Sequence, residues 1–122
     1  MSGFASTVIS MSCFAYSGVQ ISSDPFAGGN YTANSATTNY QSGAITTTGS
    51  SDLLIGQLGP NTVSITPGFP FSQILSNPYG IHGWNTYTVQ ALNQPAGVYN
   101  NMGALPSSGT PDVNIVAFKV LK

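Results

Sequence analysis

Charge is what this chain most conspicuously lacks. Its 122 residues include no Arg and no Glu; Asp24, Asp52 and Asp112 stand against Lys119 and Lys122, so charged residues are 4% and the formal net charge is −1. Soluble proteins usually carry about a quarter. A nucleic-acid partner is not expected, because neutralising phosphates takes clustered Lys or Arg. Attraction to an anionic membrane is equally weak. Little long-range repulsion keeps copies of such a chain apart, so close association costs little.

Other absences narrow the field further. The single cysteine, Cys13, excludes an internal disulfide. Lying between Met11 and Phe14 with no cation nearby in sequence, it reads as a small packed thiol rather than a reactive one. No apolar stretch is long enough to span a bilayer, so membrane insertion is not expected. The opening MSGFASTVISMSCFAYSG has no basic n-region, and its serines and threonines interrupt any apolar core, so it does not read as a signal peptide.

What is present is neutral and polar: 28 Ser and Thr and 16 Asn and Gln, with 14 Gly and 8 Pro as punctuation. Apolar residues still make up 41% and aromatics 11%, arranged in periodic runs, so a core can be buried and disorder is a poor description. With Thr, Val, Ile and Tyr plentiful and strong helix formers scarce, the composition predicts an all-β fold with essentially no helix. Alternation predicts strands over residues 6–16, 44–48, 52–58, 63–66, 84–92, 96–103 and 113–121. Residues 17–43 read as surface loop with one short strand, and residues 69–83 as irregular with one edge strand. About eight short antiparallel strands in one domain over residues 1–122 argue a single β-sandwich, jelly-roll or Ig-like. In the last strand Val113, Ile115, Ala117 and Lys119 share one face and Asn114, Val116, Phe118 and Val120 the other. With both faces mostly apolar, that strand belongs in the middle of a sheet or beneath a second molecule. Lys119 and Lys122 blunt its end against stray pairing.

The chemistry available for catalysis is sparse, and no enzyme is expected. His82 is the only histidine, and no GxSxG elbow accompanies it, so a nucleophilic triad lacks support. The three Asp residues are scattered beside turns, where their natural role is to bond backbone amides; paired-carboxylate chemistry needs two that face each other. One His and one Cys disfavour zinc. Calcium held by Asp24 with carbonyls of a Gly28-Gly29-Asn30 loop would rest on one carboxylate. No phosphate-binding glycine loop is present, and Asn30-Tyr31-Thr32 matches the glycosylation sequon, as chance tripeptides often do in such a composition. No cofactor and no metal are expected. One cluster suits ligand binding: Phe69, Phe71, Tyr79, Trp84 and Tyr87 crowd a short span, and exposed rings of this kind stack on sugars while Asn77, Gln73 and Asn85 bond hydroxyls. The same rings also suit the end of a core or a subunit contact, the more ordinary use.

Four segments, AYSGV (15–19), GAITTTGSSDLLIGQL (43–58), PAGVY (95–99) and VNIVAFKV (113–120), occur in that order and span most of the chain from end to end. In them it resembles low-charge jelly-roll or Ig-like sandwich domains of bacterial extracellular proteins and phage structural proteins. These are strand signatures rather than catalytic ones. Related domains carry further strands ahead of AYSGV, so the resemblance implies a sandwich that is shortened or completed by a neighbouring chain through strand addition. The function expected is that of a non-enzymatic assembly protein, a virion-surface subunit such as a phage decoration, minor capsid or fibre component. Its partners would be copies of itself or other proteins of a virion or surface assembly. The alternative is a carbohydrate-binding or adhesion module of an extracellular protein, with a glycan as ligand. Either places it on a virion surface or outside the cell.

Overall fold

The clearest alternations in the sequence become the middle of one sheet. The computed structural model describes residues 15–19, 26–59, 62, 64–77 and 85–120. Among them ten strands follow in order: β1 (Phe26–Ala33), β2 (Thr37–Gln41), β3 (Ile45–Thr47), β4 (Asp52–Gly59), β5 (Thr66–Pro67), β6 (Ser72–Asn77), β7 (Thr86–Gln94), β8 (Gly97–Tyr99), β9 (Met102–Gly109) and β10 (Asp112–Lys119). No helix occurs among the described residues. Five strands form an antiparallel sheet in the order β1-β10-β4-β7-β6, and two smaller sheets, β2-β9-β5 and β3-β8, supply the second layer.

The register of the large sheet explains its burial. Leu54, Gly56 and Leu58 pair with Ala117, Ile115 and Val113 on one side and with Ala91, Val89 and Tyr87 on the other. Because paired residues point the same way, these nine positions form one face. All of them are buried, together with Tyr40, Ile45, Phe71 and Leu105 from the opposing layer and its connections. The core therefore lies between the five-stranded sheet and the two small ones, which makes the fold a β-sandwich. β10 sits between β1 and β4, the interior position its two apolar faces predicted.

Polar groups tie the layers. Asn101, fully buried, reaches from the residue before β9 to the large sheet and donates from Nδ2 to the Asn114 carbonyl at 2.9 Å. Gly56 makes room for it: a Cβ there would collide with the Asn101 amide. Asp52 opens β4 as a buried carboxylate, and the Gly49 N–H donates to its Oδ2 at 3.2 Å, the backbone role its turn position suggested.

Several expectations need correction. Residues 26–41 hold two strands, β1 and β2, where loop with one strand was expected. Gly28 and Gly29, placed in a loop by the sequence, lie inside β1, next to a register shift between Phe26 and Gly28; a bulge accommodates them. The strand expected over residues 96–103 breaks at Asn100 and Asn101 into β8 and the start of β9. β9 then runs on to Gly109, beyond the end of the expected strand. The strand over residues 63–66 reduces to Thr66–Pro67, with Val63 outside the described residues. Most of the strand expected over residues 6–16, including Cys13, also lies outside them.

Candidate functional site

The predicted aromatic cluster divides when placed on the fold. Tyr87 is 2% and Phe71 7% exposed; both rings belong to the core, and the Tyr87 hydroxyl donates to the Thr62 carbonyl at 3.2 Å. Neither presents a face to a ligand. Phe69 is 97% exposed, in the turn ahead of β6. Tyr79 and Trp84 lie outside the described residues, as do His82 and Asp24. The Gly28-Gly29-Asn30 segment considered for calcium is strand, and the Asn30 amide donates to the Ala44 carbonyl.

The face of the large sheet turned away from the core is more informative. It is graded along the strands. At one end Val116, Phe118, Ile55 and Leu53 stand together, and residues 15–19 lie over them. There Val19 pairs with Val120 and the Tyr16 hydroxyl donates to Gln90 Oε1 at 2.7 Å. Ala15, Val19, Leu53, Leu92 and Val120 line an apolar depression of about 340 Å³ at this end.

At the other end the same face is polar. Tyr31, Asn114 and Gln57 form one cross-strand row, and Asp112 lies in the next; with Thr86 they line a shallow hollow of about 170 Å³. The Tyr31 ring is 60% exposed, and its hydroxyl donates to Asp112 Oδ1 at 2.9 Å. That bond, followed by desolvation of the phenol and the carboxylate's charge, pushes the Tyr31 pKa up. The Gln57 N–H donates to Asn114 Oδ1 at 2.9 Å. A backbone donor on that atom fixes the carboxamide so that Nδ2 is the group left to face outward. The hollow thus combines an aromatic plane, a carboxylate, a fixed amide donor and a second carboxamide, with no Lys among its lining residues.

Sequence reading passed over these residues. Asp112 looked like a turn residue, and Tyr31 fell in a presumed loop. The one available signal was Asn114, the sole polar residue on an otherwise apolar alternate face of VNIVAFKV.

Large apolar side chains are exposed or half-exposed elsewhere too. In addition to Phe69, Val98 is 68%, Phe26 and Leu92 are 50%, and Met102 is 48% exposed. The Gly68 N–H donates to the Met102 carbonyl at 2.8 Å, which seats the Phe69 turn against β9. Charge is almost missing from this surface: among the described residues Asp52 is buried, leaving Asp112 and Lys119. No group of three or more metal-ligating side chains forms among the described residues. No protein-family model, no curated protein sequence and no solved structure matches this chain.

Proposed function

We propose that this protein is a non-enzymatic assembly subunit, packed against copies of itself or other proteins of a virion surface or extracellular structure. The observation that carries this reading is the surface: fully or half-exposed Phe69, Val98, Phe26, Leu92 and Met102 in a setting nearly free of charge. Exposed aromatic and Met side chains with few charges are the composition of an interface centre, and a net charge near zero favours association. The virion-surface setting, as a decoration, minor capsid or fibre component, draws its support from the strand signatures AYSGV and VNIVAFKV.

The test is the oligomeric state of the purified chain. Native mass spectrometry and gel filtration at micromolar concentration should give a defined multimer. Phe69→Asp should shift it toward monomer while the thermal midpoint stays near that of the parent, since the ring contributes nothing to the core. A monomeric parent chain at these concentrations would sink the proposal.

A further inference from the structure

The geometry points to the Tyr31–Asp112 hollow as a binding site for a neutral pyranose unit of a glycan. This goes beyond association of subunits and occupies a different part of the surface from Phe69.

The hollow has three properties that this ligand class needs together. First, an exposed aromatic plane is held in place: the Tyr31 hydroxyl is bonded to Asp112 Oδ1 at 2.9 Å, so less side-chain freedom is lost when a ring stacks on it. Stacking suits the apolar C–H face of a pyranose.

Second, fixed hydrogen-bonding groups flank that plane with both polarities. Asn114 Oδ1 is occupied by the Gln57 N–H, which orients Nδ2 as a donor. Among the described residues Asp112 Oδ2 and the Gln57 side-chain amide make no hydrogen bond, and both line the hollow. A carboxylate oxygen beside an amide donor matches the alternating donor and acceptor demand of neighbouring hydroxyls.

Third, size and charge exclude the main competitors. At about 170 Å³ the hollow is smaller than the roughly 300–1,000 Å³ of drug-sized sites, so one ring fits and the rest of a chain would extend into solvent. The only charge lining it is the Asp112 carboxylate, which repels anionic sugars and phosphates. That carboxylate already accepts a hydrogen bond from the Tyr31 hydroxyl, which weakens it as a partner for an isolated cation. A shallow site of this kind binds one unit weakly, with Kd near about 1 mM, and gains affinity when many copies meet a polymeric glycan.

The experiment is an NMR titration of the isotope-labelled full chain with the methyl pyranosides of glucose, galactose, mannose and N-acetylglucosamine, and with glucuronate as the anionic comparison. At least one neutral pyranoside should give saturable shifts centred on the amides of Tyr31, Gln57, Asp112 and Asn114. Tyr31→Ala and Asp112→Asn should each weaken binding about tenfold or more, the scale of a central contact. Tyr31→Phe, which keeps the ring and loses its anchor, should weaken it less, and Phe69→Ala should leave it unchanged. Tyr31 is exposed, so its variants keep the fold, and unperturbed core resonances check this. The absence of saturable shifts with every neutral pyranoside overturns the assignment. So do shifts centred elsewhere, binding that survives Tyr31→Ala, or saturation by glucuronate alone.

Discussion

Tyr40 shows how much one side chain can ask of this core. It is 1% exposed, it belongs to β2, and its ring covers Gly103, its cross-strand partner in β9. A Cβ on Gly103 would collide with the Tyr40 hydroxyl and the Thr66 carbonyl, so the glycine is required by space. The hydroxyl has no hydrogen-bond partner among the described residues, and burial pushes its pKa up to about 12. A phenol whose folded pKa lies above its unfolded value of about 10 gives full stability below pH ~10. Above that the unfolded chain ionises while the folded one resists until about pH 12, and about 2–3 kcal/mol is lost across the window. Tyr40→Phe should therefore flatten the alkaline loss, as read by urea unfolding at about pH 9 and about pH 11.5. At neutral pH the same variant should be neutral or up to about 1 kcal/mol more stable, because it removes a buried group that makes no bond. A stability loss above that size at neutral pH would mean the hydroxyl has a partner. Gly103→Ala should cost about 3 kcal/mol through overpacking against backbone that cannot yield.

Strand pairings and the contacts between layers differ in how far they could be read in advance. β4, β7 and β10 were legible because each buries a periodic apolar face, and β10 because it is apolar on both. β1 and β9 were not. Their positions in the sheets depend on backbone pairing, while their side chains, as in FAGGNYTA, are mostly exposed or half-buried and carry no apolar rhythm. Pro106 in β9 has no N–H to give a ladder. The β2–β9 ladder passes from Asn39↔Ala104 to Thr37↔Gly109, so the proline falls in the interrupted stretch, where no ladder bond is needed from it. The hollow was illegible for a related reason: Tyr31 and Asp112 are 81 residues apart, and Gln57 and Asn114 are 57 apart. Only register brings them together.

The joint between layers makes a pairwise prediction. Asn101 fills the space over Gly56, and its amide bonds the Asn114 carbonyl. Asn101→Ala should cost about 1–3 kcal/mol by removing that bond. Gly56→Ala should cost a similar amount in the parent chain through collision with the amide. In the Asn101→Ala background the collision with the amide is gone, leaving a tight approach to Val89 Cγ2 at 3.0 Å, and the new methyl partly fills the space left by the amide. The double variant should then be more stable than the sum of the two losses by at least about 1 kcal/mol, measured by denaturant unfolding. Simple additivity would show that Asn101 does not occupy the space above Gly56.

The assembled surface is where near-absence of charge has its largest consequence. Of the described residues only Asp112 and Lys119 place a charge near solvent, and the exposed large side chains are Phe26, Tyr31, Phe69, Leu92, Val98 and Met102. Association through ion pairs would weaken as salt shortens the screening length from about 14 Å at 0.05 M to about 4 Å at 0.5 M. Association through apolar burial has no such dependence, and sulfate should strengthen it by being excluded from the surface. The proposed multimer should therefore persist unchanged between about 0.05 and 0.5 M sodium chloride, shift to lower dissociation constant in ammonium sulfate, and weaken on cooling toward about 4 °C as hydrophobic burial does. Analytical ultracentrifugation across these conditions separates the two cases. Dissociation by sodium chloride would place the contact on charged groups rather than on the apolar side chains. A glycan bound at Tyr31 would leave this salt profile unmoved, because the Phe69 turn and the Tyr31 hollow share no lining residue and a neutral sugar brings no charge.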